Sequence, residues 1–223
     1  MHWLHGAWAV FEKDLRLELR SRYAVNTLLV FVLASLLVVA LALGQVQVSA
    51  RVQAAVLWVV VVFAASLGLG RAFVSEEERG TVLLLQLNTR PSMVYAGKLL
   101  FNIVLMLVIN TVALGVFVLL LRVSVRFPGL LVATVVLGAV GLAGTTTLLG
   151  AIIARAARTG SLLPVLLLPV LFPLLLSVVG ATRQALEGGM GWSAATGDLV
   201  QAAGFSGTVI TASVLLFDYV WND

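Results

Sequence analysis

Cysteine is missing from all 223 residues, which excludes disulfides, thiolate metal sites and cysteine nucleophiles and leaves the redox compartment unmarked. Histidine occurs only at His2 and His5. A terminal pair of that kind predicts a solvated tail, not haem or metal ligands. Charged residues are scarce too, at 11%, against 61% apolar residues and a mean hydropathy of +1.10. No soluble domain has that balance, so the chain reads as an integral membrane protein. The net charge of +4 is scattered between apolar stretches and not gathered on one face, which excludes a nucleic-acid footprint. The first 22 residues mix both signs of charge without an unbroken apolar core, so no cleavable leader is expected.

Several catalytic signatures are also lacking. The only Gly-Lys pair, Gly97-Lys98, is followed by Leu99, so there is no phosphate-cradling loop and no ATP site of the chain's own. Neither His-Glu-x-x-His nor Gly-x-Ser-x-Gly occurs, and no histidine and carboxylate cluster has metal-ligand spacing. Without a convergent titratable set, the chain is not expected to be an enzyme.

What remains is mostly membrane-spanning sequence. A crossing needs about 20 apolar residues, and the gaps between charges predict spans at 26–44, 53–70, 99–121, 129–154, 161–182 and 198–218. Six crossings in one domain, 1–223, place both termini on one side. That side carries Lys13, Arg16, Arg20, Arg22, Arg71, Arg79, Arg90, Lys98, Arg155 and Arg158, and the other only Arg51, Arg122, Arg126 and Arg183. Because cytosolic loops hold the excess of lysine and arginine, both ends are expected in the cytosol. The fold class is therefore all-α and polytopic.

Ahead of the spans, Trp3 to Arg22 predicts an amphipathic helix. Leu4, Trp8, Phe11, Leu15 and Leu19 recur on one face, with Glu12, Lys13, Arg16, Arg20 and Arg22 elsewhere. Such a helix lies in the headgroup plane of the bilayer, packs against the membrane domain, or does both.

The chain is organised around Arg71–Lys98, which holds three of its ten carboxylates and four of its fourteen basic groups. Glu76, Glu77, Glu78 and Arg79 form a charged cluster, which reads as a solvated turn because consecutive carboxylates fan around a helix axis. Gly80 and Thr81 follow, with the glycine permitting a left-handed turn. An apolar run from Val82 to Leu87, including Leu84 and Leu85, then leads to Thr89, Arg90 and a terminating Pro91. The pattern is a short helix between spans two and three, offering its surface to a cytosolic partner.

Some features lie inside the spans. Gly138, Gly141, Gly144 and Gly150, with Thr145, Thr146 and Thr147, either let a neighbouring helix approach or leave space for a cavity. Pro164, Pro169 and Pro173 predict a kinked or interrupted fifth span, which either borders a transport path or is simply bent packing. Asn102 and Asn110 point in similar directions on span three, for helix bridging or a polar route. Asp198 and Asp218 bracket the last span as interfacial ends.

Glu77-Glu78-Arg79-Gly80-Thr81, the apolar run, Thr89-Arg90-Pro91 and Gly97-Lys98 together resemble the cytosolic signature between spans two and three of type-2 ABC transporter permeases. Leu149-Gly150-Ala151-Ile152, followed by Arg158 to Pro173 with its three prolines, is similar to the haem exporter protein B (CcmB) family of cytochrome c maturation. The resemblance covers nearly the whole chain. It implies a permease subunit in the bacterial cytoplasmic membrane, present in two copies. Its expected partners are a separate ATP-binding subunit of the CcmA type and CcmC-, CcmD- and CcmE-like membrane proteins. Haem is then a substrate of the complex and not a cofactor held by this chain. The loop residues Glu76 to Thr81, Leu84, Leu85, Leu87, Arg90 and Pro91 are the expected contact with the ATP-binding subunit. Where the family's loop continues Gly-Thr-Leu-Glu, this chain has Gly80-Thr81-Val82-Leu83 and so lacks that glutamate. On residues alone, two other classes stay open: a type-2 permease exporting a drug, lipid or polysaccharide, and a non-transporting scaffold or channel.

Overall fold

In hydrocarbon no water satisfies a backbone amide or carbonyl, so a chain this apolar closes its hydrogen bonds within helices. The computed structural model describes residues 2–44, 46, 48–68, 76, 80, 85, 87, 89–155, 162–187 and 191–222. Its regular elements are α1 (His2–Ser21), α2 (Tyr23–Leu43), α3 (Ala50–Gly68), α4 (Pro91–Leu121), α5 (Pro128–Arg155), α6 (Leu162–Glu187) and α7 (Trp192–Asn222). Among the described residues, six helices, α2 to α7, are long and apolar enough to cross a membrane. Val30, Leu37 and Leu41 on α2, Phe172 and Leu176 on α6 and Leu215 on α7 point outward. Both faces of these helices are apolar, so close packing and not polarity defines the interior.

Glycines on α5 supply that packing. A Cβ on Gly138 would collide with the Trp58 indole of α3. The same indole donates from Nε1 to Thr182 Oγ1 of α6 at 2.9 Å, so one side chain joins three helices. Gly141 receives Leu174 of α6 and Ser206 of α7, and Gly144 receives Ile210 of α7. The hydroxyls of Thr145, Thr146 and Thr147 donate to carbonyls one turn back in α5. At these three glycines, neighbouring side chains fill the space that a cavity would need.

The two ends of the bundle differ. At one, the α4–α5 connection docks on the end of α6, with the amides of Arg126 and Phe127 both donating to the Ala185 carbonyl at 3.0 Å. Gly191, at φ +48°, lies against the Phe127 ring. At the other end α1 meets α2 through Arg22, a left-handed residue at φ 51°. Glu18 Oε1 accepts the Val25 amide there at 2.8 Å, capping the first turn of α2.

Several expectations need correction. The third membrane helix begins at Pro91 and not near residue 99. Proline suits the first helical turn, whose amides have no intrahelical partner, so Pro91 starts α4 as well as ending the loop. The last helix starts at Trp192, which puts Asp198 within it and against Gly180 of α6, where a Cβ would collide with the carboxylate. Of the two alternatives for the fifth span, kinked or interrupted, only the interruption is overturned: one helix runs through Pro169 and Pro173, and Pro164 falls in its first turn. Each interior proline removes a single donor, a loss that local adjustment in a packed membrane helix absorbs. His2 and His5 belong to α1 and are not a tail.

Candidate functional site

The first turns of α4 form the hub of the end that carries α1. Trp3 Nε1 donates to Ser92 Oγ at 3.0 Å, and Gly6 of α1 faces the Met93 thioether. One turn further, a Cβ on Gly97 would lie 2.6 Å from the Ala7 carbonyl oxygen and 2.7 Å from Val10. Only a glycine lets the two backbones approach that closely. The contact buries Val10 and Phe11 and leaves Leu4, Trp8 and Leu19 exposed. The predicted single apolar face is therefore divided: one row packs on α4, and another faces outward.

Asp14 shares the packed row, three and four residues beyond Phe11 and Val10. Lys98, fully buried, reaches it at 3.2 Å. The same ammonium lies 3.4 Å from Glu76 Oε1, and Lys13 pairs with both Asp14 and Glu76. Two cations and two carboxylates thus tie α1, the loop and α4 together. A buried charge is tolerable only when compensated in this way. The expectation that Glu76 is solvated is corrected: it is 5% exposed and ion-paired. Its sequence neighbours are also acidic, but its position is set by two lysines that the local sequence does not adjoin.

The rest of the loop divides by exposure. Gly80 has φ +65°, with no atom of the described residues within 4 Å of where a Cβ would sit, and this left-handed conformation disfavours any Cβ. Leu85 and Leu87 have helical backbone, and Thr89 binds back to the Leu85 carbonyl through its amide at 2.9 Å and its hydroxyl at 2.5 Å. Leu85 is half-buried and packs against the cluster formed by Val94, Tyr95, Ala151, Phe217 and Trp221. Leu87, two residues on, is 83% exposed, and Arg90 is exposed beside the start of α4. Glu77, Glu78, Arg79, Thr81 and Leu84, also expected at this site, lie outside the described residues.

The span residues singled out from sequence do not join this cluster. Asn102 Nδ2 donates to Thr147 Oγ1 of α5 at 2.8 Å, an interhelical bridge. Asn110 is buried, and its amide has no hydrogen-bond partner among the described residues. Pro169 and Pro173 lie on the outer surface of α6, and the side chain of Pro164 is outside the described residues. Sequence reasoning missed Lys13 and Asp14. The available signal was an acid at helical spacing from apolar Val10 and Phe11, opposite a lysine at the start of an apolar helix. Among the described residues no three His, Asp or Glu side chains gather as a metal site.

A bundle of this build, with a helix lying across one end and an ion-paired loop beside it, defines an all-α polytopic membrane protein. The sequence pattern of the CcmB protein family matches residues 5–218, and the chain belongs to that family. It is similar to heme exporter protein B of Bradyrhizobium diazoefficiens, with 28% identity over 191 residues, 83% of this chain and 85% of that one.

Proposed function

We propose that the chain is the membrane permease subunit of an ABC-type haem exporter complex in cytochrome c maturation. The carrying observation is membership of the CcmB family across residues 5–218. The loop gives that role a mechanism. It is fixed inside by Glu76 and Leu85 and offers Gly80, Leu87 and Arg90 outside. A chain without a nucleotide loop of its own must receive ATP-derived work through such a surface.

In this reading a separate CcmA-like subunit hydrolyses ATP and docks on the exposed side of the loop. CcmC-, CcmD- and CcmE-like proteins complete the complex, with two copies of this chain in the cytoplasmic membrane and the loop and both termini in the cytosol. Haem is the cargo, either exported by the complex or leaving it on the chaperone, and this chain supplies no haem ligand. ATP closure of the partner moves the loop only if loop contacts differ between the open and closed states. The family assignment disfavours the drug, lipid or polysaccharide branch.

Affinity capture of the tagged chain from membranes tests the reading. Co-purification of a Walker-motif subunit, and loss of haem-stained c-type cytochromes on deletion, are expected. A captured complex without an ATP-binding subunit, or a deletion strain with normal c-type cytochromes, would overturn it.

A further inference from the structure

The inner seat of the loop is not made by α4 alone. Tyr95 of α4 and Phe217 of α7 face each other with ring centroids 5.2 Å apart, and Trp221 stacks on Phe217 at 5.5 Å and 18°. All three rings are buried, with Ala151 of α5 beside them. Leu85 rests on this cluster, and its carbonyl is held by Thr89 just ahead of Pro91. Aromatic pairs of this geometry attract beyond their area burial, so the rings hold α4 and α7 together at this level.

We propose that the terminal turn of α7, Phe217 to Trp221, is a positioning element that seats Leu85, so that displacement of the loop is delivered to the last membrane helix as well as to α4. The proposal rests on the functional reading above and adds a second output to it. Glu76 ties the loop to Lys13 of α1 and to Lys98 of α4. Leu85 is a separate attachment, and the cluster it packs against includes Phe217 and Trp221 of α7. A partner pulling on exposed Leu87 therefore acts two residues from a side chain that leans on the end of the chain. Rigid aromatic side chains with two rotatable bonds transmit that push with little rotamer slack.

The test uses the cysteine-free native sequence. Leu85→Cys is paired with Phe217→Cys, and in a second variant with Trp221→Cys, in membranes containing the whole complex. A short, reducible, bifunctional thiol reagent is added without nucleotide and again after trapping with ATP and vanadate. Cross-linking without nucleotide in at least one pair and a several-fold lower yield in the trapped state are expected. A Leu87→Cys and Phe217→Cys pair should not react. In the Leu85→Cys and Phe217→Cys pair, the nucleotide-dependent change in yield should persist in a Trp221→Phe background, which keeps a ring on the seat. A merely structural role would not move that readout. Equal yields with and without nucleotide, no cross-link in either Leu85 pair, or reaction of the Leu87 pair overturn the proposal while the complex keeps its ATP-binding subunit. Absence of that subunit from the wild-type complex overturns the functional reading and this proposal with it.

Discussion

Lys98 of α4 and Asp14 of α1 meet at 3.2 Å in a place where the lysine has no exposed surface. Glu76 shares the ammonium, so a loop residue and a residue of the first helix depend on one cation. Lys98→Ala removes that cation and leaves Lys13 to serve both carboxylates. Breaking a buried pair in this way costs about 3–5 kcal/mol. Thermal unfolding of the detergent-purified protein should show a large loss, and Lys98→Ala with Glu76→Gln should cost less than the sum of the single changes. Additive losses would mean that the two residues are not coupled.

Gly97 is a point of backbone contact, whereas Gly115 on the same helix has open space, with nothing within 4 Å of where a Cβ would sit. Gly97→Ala drives the new carbon against the Ala7 carbonyl oxygen, which cannot rotate away. We expect a loss of about 1–3 kcal/mol and faster proteolysis near α1. Gly115→Ala should be neutral or stabilising by about 0.5 kcal/mol, as alanine favours helix. Equal effects at the two positions would contradict the close approach of α1 to α4.

Trp58 fills the notch at Gly138 and donates to buried Thr182. Trp58→Phe keeps much of the volume but leaves the threonine without that donor, at a cost of about 1–3 kcal/mol. Gly138→Ala should displace the indole and change the tryptophan emission, and the same change should vanish in a Trp58→Phe background. Emission that shifts equally in both backgrounds would place the effect elsewhere.

Leu87 and Leu85 differ in exposure despite lying two residues apart. Leu87→Asp should leave thermal stability within about 0.5 kcal/mol, the range of ordinary surface changes, while reducing capture of the ATP-binding subunit. Leu85→Asp should instead destabilise the chain itself, because a carboxylate would enter the aromatic seat. Gly80→Val forces a β-branched side chain into φ +65° and should reduce capture as well. Full capture with both Leu87→Asp and Gly80→Val would remove the loop's outer side from the interface.

The number of membrane helices was legible because hydrophobic length is a direct physical requirement. The starts of the third and sixth were not, because charges served as boundary markers. Lys98 and Asp198 break that rule, the first by reaching from α4 to carboxylates of α1 and the loop and the second by lying against Gly180 on a neighbour. The position of the loop between spans two and three, and the need for Gly80, were readable from charge, proline and glycine. That Glu76 turns inward was not, since its partners are 63 and 22 residues away in sequence. The aromatic seat was equally hidden: nothing local to Phe217 indicates Tyr95 or Leu85.

The indole of Trp58 has a mechanical meaning beyond its packing. With its ring set into α5 and its nitrogen bonded to α6, the second, fourth and fifth crossings cannot slide past one another without withdrawing the key. Moving any one of the three along its axis would break the bond to Thr182 or lift the ring from Gly138.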